Sequence, residues 1–125
     1  MQLNRFIKLA VEEAKKSDHK QRIGAIIFDK SKIISKGFNS SQKSVKHLKK
    51  KFQRWPGTVH AEVDAIIKAR TDVKGLSMIV IRINNFNQLK LAKPCKWCQM
   101  YIKYVGIKKV IYSLNEFPYL EEMRL

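Results

Sequence analysis

Acidic residues are scarce in this chain. Ten Asp and Glu stand against 26 Lys and Arg in 125 residues, a formal charge of +16. The sequence pI is near 10.1. Such an imbalance favours polyanionic partners: nucleic acid, nucleotide phosphates or an acidic membrane surface. Because 20 of the basic residues are lysines, a plain solvated surface accounts for part of the excess. Cysteine is rarer still. The two present both lie in Cys95-Lys96-Trp97-Cys98, so none is left for a disulfide framework and nothing marks the chain as secreted. Long apolar runs are missing too. Arg5, Lys8, Glu12 and Glu13 interrupt the start, which excludes a signal-peptide core, and no stretch approaches transmembrane length. The expectation is a soluble, intracellular, cytoplasmic protein with no membrane partner.

What is present fits one globular domain over residues 1–125, without internal repeats or linkers. Hydrophobic residues make up 45% of the chain, which argues against disorder. Leu3, Phe6, Ile7, Ala10, Val11 and Ala14 recur at helical spacing and predict an amphipathic helix over 2–16. Ile23–Phe28 and Ile33–Phe38 predict two strands joined by the turn-like Asp29-Lys30-Ser31-Lys32. Residues 40–57 contain few apolar side chains and predict an exposed loop ending in Trp55-Pro56-Gly57. Thr58 is the expected N-cap of a second helix with Val63, Ile66 and Ile67 inward. Gly75 opens a third strand, Leu76–Ile83, apolar at nearly every position and so expected to be buried on both faces. Pro94 suits the first turn of a third helix ending near Gly106, and Val110–Tyr112 forms the core of a fourth strand. Only Ser113 to Pro118 separates this strand from the segment 119–125, too short a link for a parallel crossover, so a strand there is expected to return antiparallel; a short terminal helix is the rival. The order α-β-β-α-β-α-β predicts an α/β fold, three-layer α/β/α, with a mixed sheet of about five strands.

Two segments carry chemistry: His60-Ala61-Glu62 and Pro94-Cys95-Lys96-Trp97-Cys98. One histidine and two cysteines supply three tight ligands for Zn2+ and leave a fourth position for water, the arrangement of a catalytic rather than a closed structural site. Cys95 and Cys98 share a helix face. His60 and Glu62 would diverge within a helix and converge only at its first turn. Both motifs fall at predicted helix N-termini, whose positive dipole ends favour thiolates. A redox dithiol would leave His60 and Glu62 unexplained, and a closed zinc site lacks a third cysteine.

Together the motifs resemble the zinc signature of the cytidine deaminase superfamily, on the branch with a histidine ligand. The likeness also takes in the first helix, Gly24-Ala25, Gly37-Phe38-Asn39 and the segment Gly106–Tyr112. It implies a cytidine-deaminase-like fold, and a zinc ion that lowers the pKa of its water toward neutrality. Glu62 would then be the proton shuttle. The backbone N–H of Ala61 would meet the base carbonyl, and the backbone C=O of Lys93 the leaving amino group. Asn39 would bond the sugar, and Tyr112 would stack near the base. Trp55 either stacks on a base or ribose or anchors its loop; Trp97 is assigned to packing. Relatives are commonly dimers or larger, so a homo-oligomer is an expectation as well.

Substrate signals diverge. Trp97 precedes the second cysteine where tRNA adenosine enzymes commonly carry methionine, which favours cytosine. The short hairpin tail resembles small-substrate enzymes, although some deaminases acting on polynucleotides share it. Against this, no acidic residue lies between Asp29 and Glu62, and Lys43, Lys46, Lys49, Lys50, Lys51 and Arg54 crowd one loop beside Trp55. Basic residues with an aromatic suit a single strand or a nucleotide phosphate. The expected function is hydrolytic conversion of cytosine to uracil on single-stranded nucleic acid, DNA or RNA, or on a cytidine nucleotide or nucleoside. The alternatives are a nucleic-acid-binding module with structural zinc and no turnover, and an adenosine-to-inosine RNA deaminase.

Overall fold

The computed structural model describes residues 2–40 and 60–125. Three helices, α1 (Gln2–Ala14), α2 (Ala61–Ala69) and α3 (Lys96–Tyr104), enclose one sheet. Its strands are β1 (Arg22–Asp29), β2 (Lys32–Phe38), β3 (Ser77–Ile83), β4 (Leu89–Lys90), β5 (Lys109–Ser113) and β6 (Leu120–Arg124). The strand order is β2-β1-β3-β5-β6, with the two-residue β4 pairing β3. Only β3 and β5 run parallel; the pairings of β1 with β2 and β3, and of β6 with β5, are antiparallel. The sheet is therefore mixed, and the tail returns as an antiparallel hairpin strand rather than the rival terminal helix. Among the described residues no helix is long and apolar enough to cross a membrane.

Strand alternation sorts the core into two halves. On one face Ile79, Ile81 and Ile83 of β3 join Ile26 and Phe28 of β1 against Phe6, Ala10 and Ala14 of α1. On the other, Met78 and Val80 join Ala25, Ile27, Val110 and Tyr112 beneath α2 and α3. Each fully buried large side chain in these layers contributes about 1.5–3 kcal/mol of transfer free energy. Two glycines set how closely the layers approach. A Cβ on Gly24 would meet the Ala10 carbonyl oxygen at 2.1 Å, and one on Gly37 would meet the Ala65 nitrogen at 2.4 Å and the Ala61 carbonyl oxygen at 2.7 Å. The α2 backbone can thus lie directly on β2. Two side chains fasten it there: Ser35 donates its hydroxyl to the Ala65 carbonyl at 2.7 Å, and Asp64 accepts the Phe38 N–H at 3.0 Å.

Two helix starts differ from expectation. The N-cap of α2 is His60, not Thr58, which lies outside the described residues; the N-cap of α3 is Cys95, with Pro94 just ahead of the helix rather than in its first turn. The segment between Ile83 and Pro94 turns back at residues 84–88 and adds β4. There Asn84 accepts the N–H groups of Phe86 and Gln88 at 2.9 and 3.0 Å, an Asx-type turn.

Gly37→Ala is expected to lower unfolding free energy by roughly 2 kcal/mol or more, because two backbone segments would have to separate; urea titration checks it. Tyr112 donates its hydroxyl to the Glu121 carboxylate across β5 and β6. That bond, with burial adding to it, raises the Tyr112 pKa to about 12. The folded-state value lies above the unfolded one, so the bond's contribution is complete below about pH 10 and is lost as pH rises toward the folded value. Urea titrations across that alkaline range should show a smaller loss of stability in Tyr112→Phe than in wild type.

Candidate active site

The site is made where two helices begin. His60 has extended backbone (φ −75°, ψ 153°), and so does Cys95 (φ −66°, ψ 166°). An N-cap residue has left the helical conformation, so its side chain can project beyond the helix end rather than along its flank. His60 makes no side-chain cap bond, whereas Cys95 Sγ accepts the Cys98 N–H at 3.5 Å. Cys98, one turn on, is fully buried. The result brings His60 Nδ1 to 3.3 Å from Cys98 Sγ and 3.8 Å from Cys95 Sγ. All three ligand atoms lie within 4.8 Å of one another. For a tetrahedral ion with zinc-like bonds of about 2.0 Å to nitrogen and about 2.3 Å to sulfur, the nitrogen–sulfur separation is ~3.5 Å. The three side chains are thus positioned for metal coordination, and among the described residues no fourth His, Cys, Asp or Glu belongs to the cluster.

Protons are shared unevenly among these groups. The Cys98 thiol bonded to Cys95 holds the Cys95 pKa down at about 4 and pushes Cys98 well above the usual thiol range. Burial acts to lower His60, but the bond to Cys95 and the charge of Glu62 outweigh it and raise its pKa. Glu62, on the first turn of α2 and 4% exposed, is shifted upward chiefly by burial. Its own backbone N–H, His60 and Cys98 oppose that shift without cancelling it. A carboxyl so buried holds its proton more readily than a surface carboxylate does.

Two cavities meet at His60, Gln21 and Ile23. One, of about 300 Å³, is also lined by Glu62, Cys95, Arg82, Leu91, Ala92 and Lys93. The other, of about 350 Å³, is lined by His19, Lys20 and Asn39 as well. Asn39 accepts the Ile23 N–H at 2.9 Å and donates to the Gln21 carbonyl at 2.6 Å, so it fixes the wall that both cavities share. Ala61 is the first residue of α2, and Lys93 lies on the wall of the smaller cavity. Tyr112 does not line either cavity; its ring is in the core under α2 and α3. Trp97 is half-buried on α3. Trp55, Lys43, Lys46, Lys49, Lys50, Lys51 and Arg54 lie outside the described residues.

Sequence reasoning missed Asp64 and Arg82. Asp64 secures the α2 start by bonding the end of β2, and it pairs with Lys68 at 2.9 Å. Its signal was available: an acid at a position that helical spacing turns inward. Arg82 had a comparable signal, a charge within an otherwise apolar strand.

Metal uptake is expected to release protons, since Cys98 and His60 must lose theirs to bind. Titrating metal-free protein with zinc in weak buffer should acidify the solution, and affinity should rise with pH through neutrality. His60→Ala and Cys98→Ser should each lose the stoichiometric metal that elemental analysis finds in wild type.

Known proteins place this geometry. Residues 1–114 match the family described as the cytidine and deoxycytidylate deaminase zinc-binding region. An uncharacterized deaminase in the luxG 3′ region of Aliivibrio fischeri is 29% identical over 104 residues, covering 74% of this chain; the chain spans only 58% of that relative's length. The dCMP deaminase of cyanophage S-TIM5 in complex with dCMP and dUMP is similar in fold, with TM-score 0.67 at 22% identity. That likeness covers 90% of this chain and 80% of the other. Cytidine deaminase from Burkholderia pseudomallei also gives TM-score 0.67, at 15% identity over 99% of this chain and 93% of its own. With its metal-ligand cluster and the match over nearly its whole length, the chain belongs to the cytidine and deoxycytidylate deaminase zinc-binding family.

Proposed function

We propose that this chain is a zinc-dependent hydrolase that deaminates cytosine to uracil, on a cytidine nucleotide or within single-stranded nucleic acid. The observation that carries the reading is Glu62: a buried carboxyl beside the His60, Cys95 and Cys98 cluster, opening into the same cavity as His60 and Cys95. A cluster that has no fourth protein ligand among the described residues favours a reacting centre over a purely structural one. Zinc held there supplies the Lewis acidity that lets water attack an amidine carbon at neutral pH. Glu62 takes the proton from the attacking water and passes it to the ring nitrogen. A further proton moves through Glu62 to the amino group; the C–N bond breaks, a C–O bond has formed, and ammonia leaves. The elevated Glu62 pKa suits a group that must both accept and give a proton.

Substrate is held mainly by the backbone. The Ala61 N–H, one of the unsatisfied donors at the start of α2, meets the base carbonyl, and the Lys93 carbonyl accepts from the leaving amino group. Ile23 and Leu91, on the cavity wall, flank the base in the part first assigned to Tyr112. Asn39 faces the sugar; each of its two polar atoms still has one bonding position after holding Ile23 and Gln21. Trp55 and the basic loop from Lys43 to Arg54 would track a strand or a phosphate. A base within a duplex is out of reach without flipping, so the substrate is monomeric or single-stranded.

Zinc-loaded protein incubated with dCMP, cytidine and a cytosine-containing single strand should yield uracil and ammonia from at least one of them. Glu62→Gln should keep its metal and lose turnover by a factor on the order of 10³. Full activity in that variant would remove Glu62 from the chemistry. Salt-dependent strand binding without any turnover would favour a binding module, and inosine from an adenine-bearing loop would redirect the assignment to RNA adenosine.

A further inference from the structure

The stripe of β3 that faces α2 and α3 begins as core, Met78 and Val80, and alternation puts Arg82 next on that face. A guanidinium thus ends an apolar row, half-buried, on the wall of the cavity that holds Glu62, His60 and Cys95. Directly across the short hairpin, Arg82 is in register with Lys90, so both side chains leave the sheet on the same face. Lys93, exposed, stands on the same cavity wall three residues further on. Like charges opposite one another in a sheet repel. Among the described residues, none of these three side chains has an ion-pair or hydrogen-bond partner. Composition reinforces the point: between Asp72 and Glu116 the chain contains no acidic residue. The carboxyl on this cavity, Glu62, is buried and committed to proton transfer.

A neutral pyrimidine does not balance three uncompensated cations, whereas a phosphate dianion or phosphodiester does, and a half-buried guanidinium suits its oxygens bidentately. We infer that Arg82, Lys90 and Lys93 form a phosphate subsite on the β3–β4 margin of the cavity, giving the chain a preference for nucleotides over nucleosides. The inference rests on the proposed function only for the identity of the base. Burial decreases from Arg82 to Lys93, so the phosphate meets the subsite toward solvent while the base lies inward, near Glu62. The phosphate belongs either to a 5′-monophosphate or to the backbone of a strand.

The test uses the zinc-loaded full chain carrying Glu62→Gln, so that binding is read without turnover. Deoxycytidine, dCMP and a thymidine-flanked cytosine trinucleotide are titrated calorimetrically, and the nucleotide-to-nucleoside affinity ratio is the readout. The expected ratio is about tenfold or more, and it should collapse toward unity when Arg82→Gln is added. Lys90→Gln should lower it in part, and Arg82→Lys should retain more of it than Arg82→Gln. Zinc content and thermal melting verify that each variant is folded. A ratio carried by dCMP assigns the subsite to a monophosphate; one carried only by the trinucleotide assigns it to a backbone phosphate. If cytosine ligands fail to bind, AMP against adenosine gives the same ratio for another base. An Arg82-dependent preference there would overturn the cytosine reading and sustain the subsite. A ratio near unity in the Glu62→Gln parent with both bases, or one that Arg82→Gln and Lys90→Gln leave unchanged, overturns the subsite.

Discussion

Everything at the site depends on the meeting of two helix N-termini on one face of the sheet. A residue capping a helix has an extended backbone, and both His60 and Cys95 occupy that position. Their side chains therefore leave the helix ends and reach a common point, which ligands spaced along helix flanks would not do. The same ends carry positive dipole ends, which favour thiolate and other negatively polarised groups. Glu62 gains its burial from being on the first turn of α2. The metal-ligand cluster and the buried carboxyl beside it thus derive from one local geometry used twice.

That geometry requires α2 to lie hard against the sheet. Gly37 permits the contact, and Ser35 and Asp64 fasten it with bonds to the Ala65 carbonyl and the Phe38 N–H. The other wall is held by the links between β3, β4 and β5. Ser113 donates to the Lys90 carbonyl at 2.5 Å and accepts the Arg82 N–H at 3.0 Å, and its own carbonyl accepts the Ala92 N–H at 2.9 Å. One buried serine therefore positions the backbone leading to Lys93 and Cys95. Ordinary polar residues far from the chemistry set the cavity's dimensions.

Much of this was legible in the sequence, for physical reasons. Periodicity marked α1 and the buried β3 because burial on one face or on both leaves a direct imprint on composition. The metal ligands were legible because histidine and cysteine at motif spacing serve few other purposes. The short connection between β5 and the tail segment left no room for a parallel crossover. Cap positions were harder: Thr58 is the better capping side chain by intrinsic preference, but His60 occupies the cap because its side chain is directed to the ligand cluster. Tyr112 illustrates another limit. Its role near a base came from the family resemblance alone; the side to which a strand residue points depends on register, and its ring packs in the core with its hydroxyl on Glu121. The β4 turn was hidden because Asn84 builds it through side-chain bonds that hydropathy does not register.

The hairpin that closes the chain has a bearing on self-association. β6 ends the strand order, and its outer hydrogen-bonding edge would be a template for a strand from another copy. Yet this five-residue strand carries Glu121, Glu122 and Arg124, with Glu122 drawn toward both Lys109 and Arg124 at 3.7 and 3.1 Å. In a chain otherwise poor in acids, carboxylates are spent on its edge. Charged side chains on a short edge strand disfavour continuation of the sheet. The carboxylates that the chain otherwise lacks thus make the β6 border the most acidic part of the described sheet.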